Sequence, residues 1–265
     1  MTSGPPTAAD RTLNADVRWD DFDPHQYVGH NYLVMQAVDE EIVTLVRDHF
    51  SDHFEGGDRV PRGIDVGAGP NLYPAFSMLP WCDSITLLER SAQNRRYLLG
   101  QRDGDDAHQR EGYDTHWDPF WKVLCGRKGY ADLDDPRERF KKVVEDPIEG
   151  SLFELCGAKP GWDVGTMFFV AESITTSLDE FQRGVRCFMH ALKPGAPFAT
   201  AFMEHSQGYR VGDIEFPARD IDMNDVRTAL GDLVESTVDI QRLNTSDLVR
   251  DGYTGMILAR GRRKE

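Results

Sequence analysis

Apolar positions along this chain recur in two rhythms, and those rhythms place the elements. Across residues 31–50, Val34, Val38, Ile42, Leu45 and Phe50 share one face at helical spacing. Across residues 178–192, Phe181, Val185, Phe188 and Leu192 do the same. Short apolar runs of strand length lie around these helices: Ile64 with Val66, then residues 85–88, 162–171, 196–203, 237–243 and 255–260. A short strand is expected near Val143 and Val144, closing residues 138–145. Residues 224–234 predict a short helix, with Asp222 and Asn224 as capping candidates. Residues 101–118, with Asp103, Asp105, Asp106 and Glu111, read as a polar loop. Strands alternating with helices predict an α/β fold, a mostly parallel sheet with helices on both faces. There is no internal repeat and no low-complexity segment.

One stretch says most about chemistry. In residues 63–94 an apolar strand runs into Gly67-Ala68-Gly69, a helical segment follows, and a second apolar strand ends in Glu89. This is the order of a nucleoside-binding β-α-β unit. Small residues let a ligand approach the backbone. Glu89, 20 residues past Gly69, is placed to accept hydrogen bonds from both ribose hydroxyls. The third glycine of a dinucleotide fingerprint is replaced by Leu72, and Pro70 removes a backbone donor that phosphates would use. Both departures favour S-adenosylmethionine, which has a ribose but no phosphate, over NAD.

The run IDVGAGPNLYPAFS, followed by TLLERSAQN, resembles the small-molecule N-methyltransferases that include nicotinamide, phenylethanolamine and indolethylamine N-methyltransferases. The likeness rests on Asp65, Gly67, Ala68, Gly69, Pro70, Asn71, Tyr73, Glu89, Gln93 and Asn94, with Asn71 where Thr is usual and Glu89 where Asp is usual. Phe22-Asp23-Pro24-His25-Gln26-Tyr27, followed by Tyr32, is similar to the family's N-terminal segment, and Leu192-Lys193-Pro194-Gly195 to the approach to its fifth strand. The resemblance implies a Rossmann-like class I methyltransferase with a seven-stranded sheet. Residues 1–18 would be a flexible tail and residues 19–265 one domain, with a lid at about 19–50 and a cap insertion at about 101–140. It implies that Tyr27, Tyr32, Gly67, Ala68, Gly69, Asn71, Tyr73, Glu89, Asn94 and Phe168 bind the cofactor. Asp146 would reach the adenine, although Pro147 stands where the family has Val.

Two more acids end apolar strands, Glu172 after TMFFVA and Glu204 after FATAFM. Strand ends are common places for solvated acids. The resemblance gives this pair a further meaning, because glutamates at these positions hold the substrate amine in amine-specific members. A carboxylate can orient the nitrogen and take its proton, directly or through water. Tyr27, Tyr209 and Asp251 are further substrate-binding candidates. The Trp117–Trp121 aromatic cluster is expected to pack within the cap. The transfer itself needs alignment and dryness more than covalent help.

The chain's net charge of −15 over 265 residues disfavours nucleic acid or an anionic membrane as partner. No apolar run is long enough to span a bilayer, and residues 1–10 lack a signal-peptide core. Cys82, Cys125, Cys156 and Cys187 are far apart, so free thiols in a cytoplasmic monomer are expected. No metal-ligand spacing, no GxSxG and no Asn/Asp-Pro-Pro-Tyr motif is present. The expected activity is N-methylation of a small amine or nitrogen heterocycle. A non-catalytic adenosine-ligand binder or a Rossmann oxidoreductase remains open beside it.

Overall fold

The computed structural model describes residues 11–104, 112–244 and 252–265. Its first β-α-β unit is β1 (Val60–Val66), the single-turn α3 (Tyr73–Phe76) and β2 (Cys82–Glu89). Ahead of it lie α1 (Pro24–Asn31) and α2 (Ala37–Phe54). After it come α4 (Ala92–Asp103), α5 (Asp118–Leu124), α6 (Lys128–Ala131), α7 (Pro136–Val143) and β3 (Ile148–Glu149). The remainder is β4 (Val164–Phe168), α8 (Leu178–Ala191), β5 (Pro197–Glu204), the hairpin β6 (Tyr209–Val211) and β7 (Ile214–Phe216), α9 (Met223–Leu230), β8 (Asp239–Leu243) and β9 (Gly255–Arg262).

Seven strands form one sheet in the order β3-β2-β1-β4-β5-β9-β8. The first five run parallel, and β9 inserts antiparallel between β5 and β8. Alternation along the strands divides the core between two faces. Ile64, Val66, Phe198 and Phe202 meet Phe181, Val185 and Phe188 of α8 on one side. Ile85, Leu87, Ala199 and Ala201 meet Val38, Ile42, Val46 and Phe50 of α2 on the other. This is the mostly parallel sheet with two helical layers that the pattern predicts. Ser177 caps α8 by accepting from Glu180 N–H, and Asp179 and Glu180 suit the positive end of the helix dipole.

Several expectations shift. The stretch 31–50 breaks into two helices, with Tyr32 as the C-cap of α1 and Gln36 as the N-cap of α2. Val34, expected on the buried face, lies between them and is 71% exposed. Val143 ends α7 rather than forming a strand, and Val144 makes one isolated bridge with Ile85. The edge strand proper begins only after Pro147, which has no N–H to pair. Residues 101–103, expected to open the polar loop 101–118, end α4, while residues 105–111, with Asp105, Asp106 and Glu111, lie outside the described residues; α5, α6 and α7 follow.

Residues 12–16 differ from the expected flexible tail. Thr12 N–H donates to Thr176 Oγ1 and Thr176 N–H to Thr12 O, both at 2.9 Å, and Asn14 N–H donates to Glu180 at 2.9 Å. Cys156 and Cys187 form a disulfide, so free thiols are found only at Cys82 and Cys125. Two of the four cysteines expected as free thiols of a cytoplasmic protein are thus oxidised. No described helix is long and apolar enough to cross a membrane.

Candidate functional site

The cavity lies at the carboxyl ends of the central strands, where sheets of this kind hold their ligands. Its floor is the turn after β1. Gly67 and Gly69 have φ of 63° and 53°, left-handed values that glycine takes without a Cβ clash. A Cβ on Gly67 would stand 2.6 Å from Val170. A Cβ on Gly69 would meet nothing closer than 3.7 Å, so the turn is open above it.

Glu89 stands at the tip of β2 beside this turn. Its Oε2 accepts from Gly69 N–H at 2.8 Å and its Oε1 from Ser91 N–H at 2.7 Å. Burial raises its pKa above the ordinary value, while these bonds and one from Asn94 pull the other way. Asp65 lies behind it, 1% exposed, and accepts from Thr166 Oγ1 at 2.8 Å. Burial first, and the nearby charge of Glu89 with it, pushes the Asp65 pKa up to about 8.

The roof is aromatic. Tyr27 contacts Tyr32 at 5.9 Å and Tyr209 at 6.4 Å between ring centroids. Trp19 and Tyr209 both stack on the β6–β7 hairpin residue Phe216, at 5.6 and 5.4 Å. Asn71 Nδ2 donates to the Tyr32 hydroxyl at 3.3 Å, tying roof to floor. Trp117 packs on Tyr32 at 5.6 Å, so the cap cluster braces the roof from behind. The wall at β4 includes Phe168, Phe169, Val170, Ser173 and Ile174. Phe169 has a φ of 60° and donates its N–H to Ala201 O at 2.7 Å. Holding a non-glycine residue there costs about 1–2 kcal/mol. Gly150, Ser151 and Leu152 also line the cavity, with Asn14 beside them.

Most of the expected cofactor residues converge on this cavity. Gly67, Ala68, Gly69 and Asn71 line its floor, Glu89, Asn94 and Phe168 its sides, and Tyr27 and Tyr32 its roof, together with Tyr209. Tyr73 does not line it. Its ring is buried against Phe120, 5.3 Å away and nearly parallel, and its hydroxyl donates to Asp39 at 3.3 Å. Asp146 does not line it either. Its side chain is 84% exposed and pairs with Arg102 at 2.6 Å. The reason is register: with the edge strand at 148–149, the residues beyond its end are Gly150 and Ser151.

The two acids expected to hold an amine also stand back from the cavity. Glu172 is fully buried, and its Oε1 accepts from Met203 N–H at 3.0 Å and from the Ser173 hydroxyl at 3.2 Å. Glu204 Oε2 accepts from Arg242 Nε at 2.5 Å and from Thr254 Oγ1 at 2.6 Å, so its charge is already matched by a cation. Asp251 falls outside the described residues. Sequence reasoning missed Asn14, Trp19, Ser151, Phe169 and Ser173 as cavity residues. Ser173 was reachable from its place beside Glu172; Asn14 and Trp19 carried no local signal.

A model of the NNMT/PNMT/TEMT family matches residues 11–258. An indolethylamine N-methyltransferase from Oryctolagus cuniculus is 24% identical over 193 residues, which cover 71% of this chain and 70% of that protein. Among solved structures, the N-methyltransferase NodS from Bradyrhizobium japonicum, in complex with S-adenosyl-L-homocysteine, aligns with a TM-score of 0.51 at 12% identity. That alignment covers 92% of this chain and 100% of the other. A SAM-dependent methyltransferase from Methanosarcina mazei aligns with a TM-score of 0.52 at 13% identity, covering 82% and 98%. At such identities the two structural likenesses speak to the fold.

Proposed function

From the chain's membership of the NNMT/PNMT/TEMT family, we propose that it methylates the nitrogen of a small amine or nitrogen heterocycle, acting as a monomer. It is an S-adenosylmethionine-dependent methyltransferase, and the family supports N-methylation. The observation that carries the site assignment is Glu89: a buried carboxylate facing a cavity beside an open glycine turn, under an aromatic roof. A ribose has the two adjacent donors that such an acceptor needs.

The residues fit that ligand. Glu89 takes the ribose, Gly69 and Asn71 flank the amino-acid end, and Tyr27 and Tyr32 cover it. S-adenosylmethionine supplies a methyl group on a positively charged sulfur, already activated. Phe168 and Phe169 shape the wall where the acceptor approaches, and Tyr27 with Tyr209 closes it against water. Holding the reacting atoms in line is worth roughly 7 kcal/mol or more in well-oriented cases.

An amine must also shed a proton. Ser173 lines the cavity and its hydroxyl bonds to Glu172, so the carboxylate can take the proton through that hydroxyl rather than by touching the nitrogen. Glu204 would join only by releasing Arg242. In this reading residues 19–265 act as one catalytic domain, with residues 19–50 as lid and 101–140 as cap.

Titration calorimetry with S-adenosylmethionine, S-adenosylhomocysteine and NAD tests the cofactor, and binding of NAD alone would end this reading. A screen of amines and nitrogen heterocycles with labelled methyl donor identifies the acceptor. Glu172→Gln is expected to lower transfer at least tenfold with cofactor affinity nearly intact, since general-base contributions run to about 10²–10⁴. A Glu172→Gln enzyme with full turnover would remove the proton role.

A further inference from the structure

The wall next to Glu89 contains an amide no motif pointed to. Asn14 is 4% exposed, belongs to the N-terminal segment and lines the cavity beside Ser151. A ligand whose ribose sits on Glu89, and whose sulfur end sits by Gly69 and Phe168, must direct its base toward Ser151 and Asn14, because β3 lies on the far side of β2. Asp146, the residue expected there, is turned out to Arg102.

The Asn14 side chain is held in one orientation. Trp19 Nε1 donates to Asn14 Oδ1 at 3.0 Å, and Asn14 Nδ2 donates to Ser151 Oγ at 3.3 Å. An indole N–H is a donor only, so the oxygen of the amide must face Trp19 and the nitrogen must face Ser151. Each amide atom spends one of its two hydrogen-bonding positions in this way. One N–H and one lone pair remain. The segment is fixed as well, by the Asn14 N–H to Glu180 bond and by the two backbone bonds of Thr12 described above.

We propose that Asn14, oriented by Trp19, is the residue that reads the adenine edge of the cofactor and selects a 6-amino purine over a 6-oxo purine. Its remaining N–H meets the acceptor N1 and its remaining lone pair meets the exocyclic amino group. In a 6-oxo purine both partners are reversed, N1 becoming a donor and position 6 an acceptor. The fixed amide cannot rotate to follow them. This inference rests on the S-adenosylmethionine reading of the cavity.

The test is calorimetry with S-adenosylhomocysteine and its 6-oxo analogue S-inosylhomocysteine, on the full chain and on two variants. The parent protein is expected to prefer the adenine ligand. Asn14→Ala should weaken S-adenosylhomocysteine roughly tenfold, the scale of one or two lost hydrogen bonds, and leave the inosine analogue unchanged. Trp19→Phe keeps a ring on Phe216 and removes the N–H, freeing the amide to flip. It should bring the two affinities together by improving the inosine analogue. Equal losses for both ligands in Asn14→Ala, or unchanged discrimination in both variants, would overturn the proposal and leave Asn14 as a strap. Glu89→Ala, by contrast, should weaken both ligands alike, since both carry the ribose. A parent protein that binds neither ligand would fail the cofactor reading itself, and this inference with it.

Discussion

A carboxylate that is 7% exposed and bound to two backbone N–H groups is a stiff acceptor. Glu89 cannot swing away without taking the acceptor from the N–H groups of Gly69 and of the buried Ser91. Removing it should therefore cost both ligand affinity and turn geometry. Glu89→Ala is expected to weaken S-adenosylhomocysteine binding by about tenfold or more, since charge-assisted bonds are worth roughly 1.5–3 kcal/mol; calorimetry on the folded variant measures it. Asp65 behaves differently. In the fold it keeps its proton up to about pH 8, whereas its ordinary value is 3.8. The stability it contributes is thus present below about pH 4 and lost as pH rises toward 8. Asp65→Asn keeps the oxygen that Thr166 bonds and cannot ionise. Its melting temperature, relative to the parent, should rise between pH 5 and pH 8. Parallel melting curves over that range would mean that Asp65 is ionised in the fold or is not felt there.

The roof is built from two short elements that lean on each other. Helix α1 carries Tyr27, and the β6–β7 hairpin carries Tyr209 and Phe216. A two-stranded hairpin is marginal by itself and depends on such packing. Ligand contact with Tyr27 and Tyr32 should therefore tighten both elements together. Hydrogen exchange over residues 20–35 and 209–216 is expected to slow when S-adenosylhomocysteine is added; equal protection with and without it would make the roof a fixed wall. The strand–turn–helix unit around Gly67 was legible because its chemistry is local: apolar strand, small turn, acid at the next strand's tip. The N-terminal tyrosines were legible through resemblance. Asp146 was misplaced because a two-residue edge strand has no periodicity to read, and a slip of a few residues moved the expected contact off the cavity. Asn14 stayed hidden because its role depends on Thr176, Glu180 and Ser151, all more than 130 positions away.

At the scale of the molecule, the sheet order puts one helical layer on each face and leaves the carboxyl ends of β1, β2 and β4 clear for the cavity. The alternation of strands and helices announced that architecture, because each face must be covered to bury Ile64 and Phe198 on one side and Ile85 and Ala201 on the other. The disulfide between Cys156 and Cys187 adds something the hydrophobic pattern does not encode. With a sequence separation of 31, it closes a covalent ring that contains the whole of β4, together with Phe169 and Ser173. An unfolding chain with the bond intact can never carry the end of α8 far from the segment that begins at the cavity wall. Each time the chain collapses, the central strand is delivered already looped against its covering helix. In a loop-entropy account such a ring is worth about 3–4 kcal/mol, and for a chain of this size reduction should lower the melting temperature by about 10 °C. Calorimetric scans with and without dithiothreitol measure that difference, and identical transitions would show that the ring adds nothing. A transition lowered by reduction means that the protein's stability follows the redox state of its surroundings, making the methyl-transfer machinery most durable where thiols are oxidised.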